Sequence, residues 1–89
     1  MPGVARKDKD SAGGLIKEGS PDVFANGFAV ARIGDAVTPH APLNSPHIAG
    51  PVMAQGSPNV FANGIAVSRA GDLATCGHEA TGSADVLAN

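Results

Sequence analysis

Four side chains in this sequence carry soft or borderline ligand atoms: His40, His47, Cys76 and His78. All four fall in two stretches, 36–55 and 73–81, each running from an Arg-x-Gly-Asp tetrapeptide to a Gly-Ser pair. Three imidazoles and one thiolate are a donor set that tetrahedral Zn2+ takes, with Zn–N near ~2.0–2.1 Å and Zn–S near ~2.3 Å. Cys76-Gly77-His78 is an i, i+2 pair that an extended or glycine-kinked segment can aim at one ion. His40 and His47 lie in Pro39-His-Ala-Pro-Leu-Asn-Ser-Pro-His47, where three prolines restrict φ and lower the entropy cost of fixing the loop. Neither spacing is a zinc-finger pattern, and three surface histidines with one buried thiol is the competing reading. Four protein ligands leave no open coordination position, so such a site would be structural rather than hydrolytic. A small zinc hydrolase or toxin would also need a general base. Glu79, beside His78, is the only candidate near the cluster.

The elements that must position these residues have little apolar material to work with. The chain has 89 residues, one small domain at most. Hydrophobic types make up 43% of it, yet 16 of those residues are alanine and only 21 are Val, Leu, Ile, Phe or Met. Set against an ordering cost of roughly 1.5 kcal/mol per residue, that supply calls for a staple: a metal, a disulfide or a partner chain. The single cysteine excludes an internal disulfide.

The chain also repeats itself. Residues 19–35 read GSPDVFANGFAVARIGD and residues 56–72 read GSPNVFANGIAVSRAGD, with a further partial copy, GSADVLAN, at 82–89. Val4-Ala5-Arg6 supplies the missing front of one copy. Three units follow, 4–26, 30–63 and 67–89, each opening on Val-(Ala/Ser)-Arg and closing on Gly-Ser-x-(Asp/Asn)-Val-(Phe/Leu)-Ala-Asn. The first and third have equal length and align without a gap, which sets Gly13 and Leu15 opposite Cys76 and His78. On that alignment the first unit supplies no ligand.

Asn26-Gly27 and Asn63-Gly64 are type I′ hairpin signals, because both central residues need φ > 0. They pair Val23-Phe24-Ala25 with Phe28-Ala29-Val30, and Val60-Phe61-Ala62 with Ile65-Ala66-Val67. The density of Gly and Pro forbids a long helix and admits a single helical turn near Leu15-Ile16-Lys17. Arg32 with Asp35, and Arg69 with Asp72, read as turn-stabilising ion pairs rather than catalytic pairs, since they recur at a structural joint. In the first unit Arg6 keeps its place, but Asp8 and Lys9 stand where Gly71 and Asp72 do. The expected fold is all-β: a single 1–89 domain of short strands and hairpins with three-fold internal pseudosymmetry.

Charge excludes some functions. A net charge of −2 argues against nucleic acid, which calls for a basic face. No apolar run is long enough to span a membrane. The start, Met1 to Asp10, lacks the apolar stretch of a secretory signal. Beyond residue 22 the only charged residues are Arg32, Asp35, Arg69, Asp72, Glu79 and Asp85, a sparse surface that suits a partly covered body.

Taken together, the twin GSPxVFANG blocks at 19–27 and 56–64, the Arg-x-Gly-Asp tetrapeptides and the His40, His47, Cys76-Gly77-His78 set resemble the PAAR-repeat family over about residues 4–89. The family's name motif, Pro-Ala-Ala-Arg, reads Ala29-Val-Ala-Arg32 and Ala66-Val-Ser-Arg69 here, keeping the arginine and the flanking small residues. The resemblance implies a small conical fold, with one structural Zn2+ near its vertex on His40, His47, Cys76 and His78. It implies a non-enzymatic role, one chain capping a trimeric β-helical spike and sharpening the tip of a contractile injection machine that pierces a target envelope. The place would be a phage tail tip, or a bacterial cytoplasm followed by export on a type VI secretion spike. Three pseudo-equivalent units suit a true three-fold axis. Phe24, Phe61 and Leu87 occupy the same place in the three units, and are expected either to face the spike or to form core. A metal-free adaptor on a trimeric partner is the alternative.

Overall fold

Asparagine and glycine decide where this chain reverses. Asn26 and Gly27 have φ of 54° and 85°, and Asn63 and Gly64 have φ of 56° and 76°. Two consecutive left-handed residues define the type I′ turn, whose twist matches the strands it joins. The computed structural model describes residues 1–40, 47 and 49–89. It is built from six two-residue strands: β1 (Ser11–Ala12), β2 (Gly14–Leu15), β3 (Phe24–Ala25), β4 (Phe28–Ala29), β5 (Phe61–Ala62) and β6 (Ile65–Ala66). They form three antiparallel hairpins, β1–β2, β3–β4 and β5–β6. Phe24 faces Ala29 and Phe61 faces Ala66, the register that the two Asn-Gly turns impose. The fold is all-β. No helix forms among the described residues: Leu15 lies in β2 and Ile16 bridges Val37, because Gly13, at φ 84°, reverses the chain and sets Ser11 opposite Leu15.

The three Val-x-Arg segments close on one another. Val30 bridges Arg6, Val67 bridges Arg32, and Val4 bridges Arg69, so each segment pairs with the next around a ring. Between them a second, tighter ring forms from the middle residues. The Ala31 amide donates to the Ala5 carbonyl, Ser68 to Ala31, and Ala5 to Ser68, each at 2.9 Å. All three residues are fully buried. Three backbones meeting at one axis leave room only for small side chains, which is why Ala, Ala and Ser stand there. The Ser68 hydroxyl is satisfied by donating to the Gln55 carbonyl at 2.9 Å.

The same three-fold logic brings the first residues against the last. The Val30 amide donates to the Val23 carbonyl and Val67 to Val60, while Val4 donates to Val86. Gly3 bridges Leu87, and the Ala88 amide donates to the Pro2 carbonyl. Pro2 to Val4 therefore sit against Val86 to Ala88 as Phe28 to Val30 sit against Val23 to Ala25. Side chains lock neighbouring units in turn: Glu18 accepts from the Ala36 amide, Gln55 from Leu73, and Thr81 from Ser11.

Two buried clusters flank the ring. On one side Val4, Val30 and Val67 pack with Ala25, Ala62 and Ala88. On the other, Ile16, Met53 and Ala80 occupy equivalent places, followed by Ala12, Val37, Ala74 and Cys76. The molecule measures 32 × 23 × 22 Å, one long axis and two nearly equal short ones. The side chains expected at the spike or in the core, Phe24, Phe61 and Leu87, are 52%, 56% and 47% exposed. They flank the cluster that holds Ala25, Ala62 and Ala88, and so lie at the end of the layers away from Cys76.

Candidate metal centre

Each unit has a connection between its Asp and its buried layer residue, and the lengths of these connections place the ligands. The amide of Ile16 donates to Asp10, Met53 to Asp35, and Ala80 to Asp72, which makes these pairs equivalent. The connections between them are thus 11–15, 36–52 and 73–79. The longest brings His40 and His47, and the third brings Cys76 and His78. The first and third units match in length only because three shifts cancel. Unit one has an extra residue before its aspartate, absorbed at Asp8 with φ of 61°, a connection two residues shorter than that of unit three, and one residue more between Ile16 and Gly19 than unit three has between Ala80 and Gly82. Asp10, rather than Lys9, is therefore the counterpart of Asp72. Gly13 and Leu15 are not the counterparts of Cys76 and His78, as the gap-free alignment had them.

The three Arg–Asp pairs finish these turns. Arg6 Nε lies 2.7 Å from Asp10, Arg32 Nε 3.2 Å from Asp35, and Arg69 Nε 2.9 Å from Asp72. Asp35 and Asp72 also accept from the backbone amides of Arg32 and Arg69, both at 2.7 Å. The hydrogen bond to Asp72 holds the Arg69 guanidinium above its ordinary pKa, against the opposing effect of desolvation. The carboxylates of Asp35 and Asp72 are consumed by their own turns, and Asp10 also accepts from the Thr81 hydroxyl at 2.9 Å.

At the far end of the layers, one ligand atom from each of His40, His47, Cys76 and His78 lies within 4.8 Å of the others. His40 Nε2 is 2.9 Å from His78 Nδ1 and 3.4 Å from His47 Nδ1, and Cys76 Sγ is 3.5 Å from His78 Nδ1. Tetrahedral bonds of zinc length would set N···N near ~3.3 Å and S···N near ~3.6 Å. Of these three short separations two match that ruler and one is tighter, while the set as a whole spans up to 4.8 Å. These side chains could hold one metal ion. His40 Nδ1 is 2.8 Å from the Thr38 carbonyl. Donating there fixes the tautomer that leaves Nε2 free as a ligand, the usual second contact of a metal-bound imidazole. The stretch between the two histidines whose prolines were expected to restrict φ, residues 41–46 with Pro42 and Pro46, lies outside the described residues.

The first unit contributes space. A Cβ on Gly13 would fall 2.6 Å from His40 Nε2 and closer still to His78 Nδ1, and one on Gly14 would fall 2.9 Å from His40 Nδ1. The Gly13-Gly14 tip thus forms a wall against which the rings stand. Sequence reasoning missed this pair and the Thr38 carbonyl. The adjacent glycines in the first connection were the visible signal for the former. Glu79 is exposed and next to His78.

A family model described as PAAR motif matches residues 6–78 and again 43–89, which together span nearly the whole chain. The chain belongs to the PAAR-motif family. None of the curated proteins matches the sequence. In this PAAR-motif chain the motif's small residue and arginine have separate tasks. Ala5, Ala31 and Ser68 build the axial ring, while Arg6, Arg32 and Arg69 brace the turns that launch the three connections.

The site's pH response has a definite sign. Burial, then the charges of His78 and His40, lower the pKa of His47 below 6.5. An unfolded chain then binds the proton more readily than the folded one, so stability is present above about pH 6.5 and falls as pH drops through the lowered value. Protons also compete with any bound metal for the imidazole nitrogens, in the same direction. The melting temperature is expected to fall between about pH 7.5 and about pH 4.5. An unchanged value across that range would count against the site.

Proposed function

We propose that this chain is a zinc-stabilised tip that caps the trimeric β-helical spike of a contractile injection machine and helps pierce the target envelope. The PAAR-motif family suggests a spike-tip role in such systems, in type VI secretion or in a phage tail. The observation that carries the reading is the closed ring of Ala5, Ala31 and Ser68. A single chain with three pseudo-equivalent corners can match three identical surfaces of a homotrimer with three similar ones. Phe24, Phe61 and Leu87 are the apolar corners we assign to that contact. The metal, held by His40, His47, Cys76 and His78, would pin the two longer connections at the opposite end, where a tip must not deform. Zinc is favoured because three imidazoles and a thiolate are a donor set it takes, and because it brings no redox chemistry. The role is mechanical, and the chain carries no reaction.

Substituting Phe24 and Phe61 by serine tests the docking surface. Burying a phenylalanine contributes roughly 1.5–3 kcal/mol, so losing two weakens binding to the spike trimer by at least about 100-fold. The isolated protein keeps its melting temperature within a few degrees, since both rings are already half exposed. Unchanged affinity for the spike would refute the assignment, and unfolding would show that the rings are core.

A further inference from the structure

The two Asn-Gly turns are alike in backbone and unlike in what holds their side chains. Asn63 is gripped from the first unit and its own. It accepts the Ser20 hydroxyl at 2.6 Å and Arg32 Nη1 at 3.4 Å, and its Nδ2 donates to Asp22 Oδ1 at 2.8 Å. Among the described residues Asn26 accepts one long bond, 3.3 Å, from a Ser83 hydroxyl that also reaches Asp85 Oδ1 at 2.9 Å. Both asparagines are exposed.

We propose that Asn26 is a site of spontaneous deamidation and that its counterpart Asn63 is protected. Glycine is the residue that least obstructs attack by its own backbone nitrogen on the preceding carboxamide. In the reaction the Gly27 nitrogen bonds to the Asn26 side-chain carbonyl carbon and the carboxamide C–N bond breaks. The nitrogen's proton leaves with the departing ammonia. Water then opens the five-membered imide at either carbonyl, giving aspartate or isoaspartate. One water enters and one ammonia departs, with no change of oxidation state.

Ring closure needs the Asn26 backbone to rotate, and the hairpin pairing of β3 with β4 fixes Asn26 and Gly27 in the left-handed region, so reaction proceeds through a local opening of the hairpin. Openings are governed by the contacts that must break, and here the turns differ by the hydrogen bonds on their carboxamides. The product adds a carboxylate beside Ser83 and Asp85, and in the iso form lengthens a two-residue turn by one backbone atom. Phe24 stands two residues away. Impaired docking at that corner would rest on the function proposed above; the chemistry does not.

Incubation of the intact protein in warm, mildly alkaline buffer, followed by peptide mapping for the amide-to-acid mass gain, tests the assignment. Asn26 is expected to convert at least about 5-fold faster than Asn63, the effect on an opening equilibrium of one of the two additional hydrogen bonds that Asn63 makes. In Asp22→Ala, an exposed position, the Asn63 rate rises toward that of Asn26. Equal rates, or a faster Asn63, would overturn the proposal. So would an Asn63 rate unmoved by Asp22→Ala, or an Asn26 that stays intact while both sites convert in the urea-unfolded chain.

Discussion

Cys76→Ser is expected to lower the melting temperature by roughly 20 °C or more and to leave a chain that does not retain metal. The reason lies in how little else closes the far end of the molecule. Its cluster holds Ile16, Val37 and Met53 as the large side chains, and the rest are alanines and Cys76 itself. Structural zinc in small domains binds with about 10–16 kcal/mol of apparent free energy, comparable to the whole stability of a domain at about 5–15 kcal/mol. Serine keeps the size of the thiol but is a poor ligand at neutral pH. Losing about 4 kcal/mol at 4–8 °C per kcal/mol gives the expected drop in a domain of this size. A chelator should reproduce the effect in the wild-type protein and add nothing to the variant. A variant that melts with the wild type, in chelator or without, would show that the four side chains are not a staple.

Gly13→Ala should be nearly as damaging to the site, although Gly13 offers no ligand. Its φ of 84° disfavours any side chain, and the added Cβ would lie against two of the four ligands, His40 and His78. Disturbing the outer contacts of one ligand costs about 10–100-fold in metal affinity, and here two rings must move at once, so about 100-fold or more is expected. Gly71→Ala separates the two causes. Gly71 has the same left-handed backbone, at φ 90°, but open space where its Cβ would stand. It should lose roughly 1–2 kcal/mol of stability and retain its metal affinity. Competition for a chromophoric chelator measures both. Equal metal affinity in the two variants would mean that the Gly13-Gly14 tip does not shape the site.

The turns and the ligand types were legible in the sequence for separate physical reasons. Asn26-Gly27 and Asn63-Gly64 are local signals, because left-handed backbone at two successive residues is a property of those residue types alone. The gathering of His40, His47, Cys76 and His78 was visible only as co-location in equivalent connections, since convergence depends on connection lengths and not on local spacing. The register of the first unit was hidden by coincidence. One residue gained before Asp10, two lost in the connection after it and one gained again before Gly19 leave the unit as long as the third, so the two align without a gap although their turns are out of step. Asp10 as the counterpart of Asp72 emerges only when the backbone bonds of Ile16 and Ala80 are compared. The role of Gly13 and Gly14 was illegible because the need for glycine arises from imidazoles contributed by other units.

The three-fold ring explains why so sparse a chain holds a shape. Each Val-x-Arg segment is bonded to both others, and each unit caps an amide in the next through Glu18, Gln55 or Thr81. None of the units could bury its alanines alone. The arrangement leaves two ends with different demands. One presents Phe24, Phe61 and Leu87 half exposed. At the other, polar ligands stand where a core would otherwise be expected, and a metal is the economical way to satisfy them.

The most direct test of the central claim is the metal content of the native protein, measured by elemental analysis before any chelator or added zinc. About one zinc per chain is expected of one closed four-ligand site, with the metal lost in Cys76→Ser. A well-folded sample containing no metal would contradict it, and would leave His40, His47, Cys76 and His78 as a polar cluster without a structural ion.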